Sequence, residues 1–176
     1  MDILVGQLAG QELGPGLWVL PGQGNSLAIE TNAGVVVIDA SGYRHVDGML
    51  EALRERTDAP VHAIVYSHGH NGYNASVDRW QAHNEERGDP PIRLIAHELV
   101  LKRYARYRET MDLQLRMGAV QFPAKRPVPI DMLRPGMALH DPTETFADTM
   151  TVVEGSRRVE LVWAPSEVDD ALAVWL

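Results

Sequence analysis

The sequence predicts an α/β protein built on a mixed sheet, and three observations carry that expectation. Two unbroken runs rich in β-branched residues, Val35–Ile38 and Val61–Ser67, read as strands buried on both faces. Between and after them, apolar residues recur at helical spacing. The chain opens and closes on further strand-like runs joined by tight turns, so its order is β-rich, then β-α-β-α-β-α, then β-rich again. Such an order suits a mixed sheet rather than a simple doubly wound repeat.

Each element has a local reason. Leu17–Leu20 is a short apolar strand stopped by Pro21-Gly22. Ser26–Thr31 follows, and the turn Asn32-Ala33-Gly34 sends the chain back into Val35–Ile38 as a hairpin or meander. Asp39 to Gly42 punctuates the chain. Val46, Met49, Leu50 and Leu53 then share one face of an amphipathic helix, which Asp58-Ala59-Pro60 ends. Val61–Ser67 leads into His68-Gly69-His70. Asn74 is placed to cap a helix through Gln81 and beyond, with Val77 and Trp80 on one side. After Arg87 to Pro91, Ile92–Ala96 is another strand. The spacing predicts one helix from Glu98 to about Met117, and the proline-rich stretch Gln121–Pro135 reads as an extended crossing loop. Met150–Val153, Val159–Trp163 and Ala171–Leu176 are the closing strands.

Composition narrows the function. A chain of 176 residues makes one domain with a real core. With 16 Lys and Arg against 24 Asp and Glu, its net charge of −8 argues against nucleic acid as a partner. The absence of cysteine excludes a disulfide framework, a thiol nucleophile and a Cys-ligated zinc finger. Met1–Leu20 lacks a basic start and is broken by Gly, Gln and Glu, so it does not read as a secretory signal. No stretch approaches the ~18 apolar residues of a membrane span. The default expectation is a cytoplasmic protein with no membrane partner. The apolar strand Ala171–Leu176 closes the chain without a turn or polar tail. It reads either as the end of a fragment or as an edge covered by a second copy, a homo-oligomer through the C-terminal strand.

The sharpest chemical feature is Tyr66-Ser67-His68-Gly69-His70-Asn71. Two histidines two apart at the exit of a buried strand point the same way if the backbone stays extended. Two imidazoles so placed can share a Zn²⁺ ion, and Gly69 leaves the backbone free to turn between them. The plain alternative is a pair of polar histidines on a strand-exit loop.

Val19–Gly42, Ile64–Tyr73 and Trp163–Leu176 together resemble the metallo-β-lactamase superfamily, and within it the alkyl-sulfatase-like branch. The resemblance implies an αββα sandwich, a single domain over residues 1–176 that lacks the C-terminal part of the family fold. It also implies a metal site that starts in an H-x-H-x-D-H loop. His68 and His70 match the first two ligands, whereas Gly72 and Tyr73 stand where the Asp and the next His belong. Those two serve a second metal in the family, and the Asp also orients the metal-bound water, so a dinuclear centre is not expected. Glu167, in Ser166-Glu167-Val168-Asp169-Asp170, matches the carboxylate ligand of the branch.

The resemblance therefore implies one Zn²⁺ per chain on His68, His70 and Glu167. The implied activity is hydrolysis of an ester-like small-molecule substrate, with a sulfate ester as the guide, through a metal-bound hydroxide. The alternative is a catalytically inactive homologue that acts as a binding or assembly module, which Gly72 and Tyr73 favour. A nucleic-acid-processing hydrolase of the same superfamily is a third reading, disfavoured by the acidic charge. Asp39, at the end of a strand, is expected either to orient His68 or His70 or to be a simple turn residue. Tyr73 is expected to pack on the helix that follows it, and His97 to be a polar helix-start residue. Lys102–Arg108 interleaves basic and aromatic residues. It reads as a solvated helix face rather than a holder of anions or RNA. His45, His62, His83 and His140 read as ordinary histidines.

Overall fold

The computed structural model describes residues 10–121, 129–155 and 157–176. The first residues of the expected non-signal N-terminus, 1–9, and residues 122–128 of the expected crossing loop lie outside that set.

A seven-stranded sheet runs β1 (Glu12–Gly14), β2 (Leu17–Leu20), β3 (Ser26–Thr31), β4 (Gly34–Ile38), β5 (Val61–Val65), β6 (Arg93–His97) and β7 (Glu144–Phe146), in that spatial order. The first four strands pair antiparallel, as tight turns allow. From β4 to β7 the pairing is parallel. Helices α1 (Val46–Arg54), α2 (Val77–Arg87), α3 (Leu99–Glu109) and α4 (Met111–Gln121) supply the crossovers that parallel pairing needs. A 3₁₀ segment, Ile130–Met137, precedes β7. The second sheet is an antiparallel set of three strands, β8 (Thr149–Val153), β9 (Val159–Trp163) and β10 (Leu172–Trp175), with β9 in the centre.

The alternation of side chains across β4 and β5 divides the core in two. Val35, Val37 and Ile64 face the helices and pack with Leu50 and Leu53 of α1 and Trp80 of α2. Val36, Ile38, Ala63 and Val65 face the other way, against Val152, Val159 and Leu161 of the small sheet. Both faces are covered, which is why β4 and β5 are continuously apolar. Helix layer, large sheet and small sheet are three layers of the expected sandwich. Among the described residues no helix covers the outer side of the small sheet, where Val162 and Trp175 are exposed.

Several expectations need correcting. The helix expected from Glu98 to Met117 is two helices, because Thr110 turns its hydroxyl back onto the Arg106 carbonyl at 2.8 Å and α3 ends there. Asn74 is not the cap of α2, which has Ser76 at that position and no side-chain cap bond. Part of the expected crossing loop is the 3₁₀ segment. Strands β1 and β7 are additional to the expected ones. β7 is held by a two-pronged ion pair in which Arg93 Nε and Nη2 each reach a Glu144 carboxylate oxygen at 2.7 Å. No described helix is long and apolar enough to cross a membrane.

Two histidines outside the β5 exit loop are expected to make the fold acid-sensitive. Burial, then Arg93, pushes His62 below the ordinary range, and burial, then Arg54, Arg87 and Arg79, does the same to His83. The unfolded chain therefore takes up protons first as pH falls, so stability present above the unfolded value is lost on acidification. The melting temperature is expected to drop between about pH 7.5 and about pH 5.5. The double variant His62→Gln, His83→Gln should show a shallower drop in scanning calorimetry. An identical slope in both proteins would refute the assignment.

Candidate metal centre

Parallel strands deliver their carboxyl ends to the same edge of the sheet, and sites in open α/β folds gather at such an edge. Asp39 leaves β4 there, Ser67 to His70 leave β5, and the β9–β10 hairpin brings Glu167, Asp169 and Asp170 alongside. The hairpin is tied in by the backbone bond from Leu172 N–H to the Ser67 carbonyl, 3.0 Å.

Asp39 is the post around which the edge is built. It is buried, with a backbone φ of 63°, and Ser41 follows at 67°. Left-handed conformations are costly for non-glycine residues and survive where surrounding bonds enforce them. Here Asp39 Oδ1 accepts from Ser67 N–H at 2.9 Å and from the Asn74 amide at 3.1 Å, while Oδ2 accepts from the Ser67 hydroxyl at 2.5 Å. Asn74 also accepts from Ala40 N–H at 2.8 Å, so its side chain braces the strand exit instead of capping a helix. Burial raises the Asp39 carboxyl above its usual range, against the pull of the Ser67 bonds and of His68.

The Ser67 hydroxyl has one proton and gives it to Asp39. It therefore accepts from His68 Nδ1, 2.8 Å away. In the neutral ring this leaves Nε2 as the free lone pair, the state a metal ligand needs. Asp39 thus orients His68, as one of its expected roles required, but through Ser67 rather than directly. The His68 and His70 rings meet edge to face with centroids 4.7 Å apart. Burial, then His68, pushes His70 below the ordinary histidine range, so its imidazole is neutral at pH 7.

Tyr73 does not simply pack on the following helix. Its ring meets that of His68 at 4.7 Å, and burial raises its phenol above the usual range, which makes it a poor base. Gly72 has a φ of +88°, a conformation that disfavours a side chain, and the Gln23 amide lies 3.5 Å from where a Cβ would stand. Glu167 sits on the exposed hairpin turn, where its charge acts on both His70 and Tyr73. Among the described residues no three His, Asp or Glu side chains are gathered into a set able to hold a metal ion. The donor types nevertheless suit zinc: two imidazoles, one held through its Nδ1 by Ser67, and a carboxylate on the neighbouring turn.

Sequence reasoning missed Ser67, Arg103 and Asp170. Arg103 does not belong to the solvated face expected for Lys102–Arg108. It lies three residues after Val100 and four before Tyr107, both buried, and that spacing is the signal that it faces inward. Its Nε reaches Asp170 Oδ2 at 2.5 Å and its Nη2 reaches Asp169 Oδ1 at 2.7 Å. His97 is a core histidine, stacked on Trp163 at 5.3 Å and bonded through Nε2 to the Ala147 carbonyl at 2.7 Å. Beside Gly72, a cavity of about 380 Å³ is lined by Gln23, Tyr43, Arg44, Met132, Leu133 and Gly136, among others.

The layered architecture, two sheets with helices on the outer face of the larger one and a histidine loop at its edge, is that of an α/β sandwich. The chain belongs to the metallo-beta-lactamase superfamily, whose family model matches residues 19–163. The alkyl-sulfatase-like branch is where a curated relative and a solved structure fall. The linear primary-alkylsulfatase of Pseudomonas sp. (strain ATCC 19151) is 27% identical over 169 residues, 84% of this chain and 30% of that protein. The stereoselective inverting sec-alkylsulfatase Pisa1 from Pseudomonas sp. superposes with a TM-score of 0.70 at 18% identity, covering 94% of this chain and 29% of that one. A metallo-beta-lactamase family protein from Thermus thermophilus gives a TM-score of 0.63 at 20% identity, covering 94% of this chain and 57% of its own. This chain thus spans about a third of the length of the alkylsulfatases it matches. Proteins of the superfamily generally bind metal ions, often zinc.

Proposed function

We propose that the chain is a zinc-dependent hydrolase of ester-like bonds, with a sulfate ester as the favoured substrate, and that His68, His70 and Glu167 hold a single Zn²⁺. The observation that carries this reading is the pair of adjacent imidazoles, one of them bonded to Ser67 and through it to Asp39, where the chain leaves a parallel strand. A zinc ion on such a set supplies Lewis-acid polarisation of the substrate and water activated near neutral pH. The protein's own residues do the remaining work. Asp39 and Ser67 hold His68 in one tautomer, and burial keeps His70 neutral. Tyr73, with its proton retained, can donate a hydrogen bond to an anionic group. The cavity beside Gly72 has Arg44 in its lining for that charge, and Met132 and Leu133 for a hydrocarbon tail. The names of the alkylsulfatase relatives support the same choice of substrate.

Metal analysis of purified protein is expected to find about one zinc per chain, the mononuclear pattern of three protein ligands and an open position. His68→Ala should abolish both metal uptake and turnover of a long-chain alkyl sulfate while leaving the circular dichroism spectrum unchanged. A folded wild-type protein without zinc affinity would overturn the hydrolase and leave the inactive binding or assembly module, which the missing side chain at Gly72 and the poor base at Tyr73 favour.

A further inference from the structure

We propose that Arg103 and Asp170 form a positioning pair that fixes the spacing between the His68–His70 loop and the turn carrying Glu167. The consequence for metal affinity rests on the zinc reading above; the mechanical coupling does not. Asp170 follows Glu167 by three residues and is fully buried, while the Arg103 side chain is only 12% exposed. Arg103 comes from α3, an element that carries no candidate ligand, and grips two consecutive carboxylates of the turn with Nε and Nη2. The same pair presses on the histidine loop. A Cβ built on Gly69 would stand 2.6 Å from Asp170 Oδ2 and 2.9 Å from Arg103 Cδ. The pair therefore touches the backbone midway between the two histidines and the turn of the third candidate ligand at once. Trp163 adds a further tie to the turn, its indole N–H donating to the Asp169 carbonyl at 2.8 Å.

Stability alone gives little reason to keep such a pair. A buried ion pair can often be replaced by apolar side chains of similar volume without loss to the fold. Asp170 moreover keeps its Oδ1 buried with no hydrogen-bond partner, a cost that a purely structural contact would shed. What the pair supplies is fixed geometry, because the planar, forked guanidinium sets distance and direction together, where an ammonium would set only a point charge. Residues that orient metal ligands from outside the ligand set act in this way.

The test compares wild type, Arg103→Met, Arg103→Lys and Asp170→Asn in the full chain. Asp170→Asn provides the same readouts should Arg103→Met fail to fold. In metal-free protein, amide hydrogen exchange of Arg103→Met is expected to rise in residues 67–71 and 166–170 together, with α1 and α2 unchanged. A rise confined to 166–170, or no rise, would overturn the coupling. With metal, Arg103→Met should weaken Zn²⁺ affinity roughly 10–100-fold in chelator competition and alter the visible spectrum of the Co²⁺ form, with Arg103→Lys recovering part of both. Unchanged affinity and spectrum in a folded variant would refute the positioning role. If wild type takes up no zinc, the metal reading fails while the exchange data still decide the coupling.

Discussion

Asp39→Ala is expected to remove roughly 3–5 kcal/mol of stability, at about 1–3 kcal/mol for each of three donors left without its acceptor and a smaller part for alanine's poorer tolerance of the left-handed conformation that Asp39 already adopts. The donors are Ser67 N–H, the Ser67 hydroxyl and the Asn74 amide. Relief from burying a carboxylate lowers the total, since the Asp39 pKa is already raised by desolvation. A loss of this size is a large share of the ~5–15 kcal/mol that holds a domain folded. Asp39→Asn separates stability from function. Asparagine tolerates a left-handed φ and keeps one carbonyl oxygen for Ser67 N–H, so it should cost only about 1–2 kcal/mol. It cannot accept the Ser67 proton at both former sites, and the lock on His68 is lost. Zinc affinity should then fall about 10–100-fold with most of the stability retained. Denaturant titration and chelator competition measure the two effects. An Asp39→Ala protein within about 1 kcal/mol of wild type would show that the strand exit is held by something else.

Much of the fold is legible because its signals are local. Ser26–Thr31 and Val159–Trp163 are strands over the expected ranges, and α1 buries the Val46, Met49, Leu50 and Leu53 stripe that its spacing announces. β1 and β7 are legible only in pairing: each has three residues, and β7 depends on an ion pair between Arg93 and Glu144, fifty-one positions apart. The break at Thr110 turns on one hydroxyl that competes for a backbone carbonyl. The site divides in the same way. His68 and His70 announce themselves by spacing. Asn74 looks like a cap because capping is a local habit of asparagine, yet its bonds run to Asp39 and Ala40, more than thirty residues back. Arg103 sits in a run of charges that resembles any solvated helix, and its partners lie sixty-six and sixty-seven positions away. Residues that carry bonds across such distances have no local pattern to mark them.

Gly69→Ala tests the most specific consequence of that long-range packing. Conformational freedom is the reason the sequence suggests for a glycine between two histidines, but Gly69 is not among the glycines with positive φ. A backbone conformation open to alanine, with nothing else constraining the position, would let alanine stabilise the protein by about 0.4–1 kcal/mol through the unfolded chain. Space predicts the opposite sign. The new methyl group would lie 2.6 Å from Asp170 Oδ2, an oxygen already bound to Arg103 in a buried pair, so it has no free end to yield. Overpacking of this kind costs about 1–3 kcal/mol, and more where a buried ion pair is pushed apart. At roughly 2–4 °C per kcal/mol, a melting temperature lower by about 2–12 °C is expected. Asp170→Ala in the same chain removes the obstructing oxygen, so the double variant should lose less than the sum of the two single losses. Additive losses would mean that Gly69 and Asp170 act independently, and the close approach of the histidine loop to the ion pair would not be what demands a glycine there.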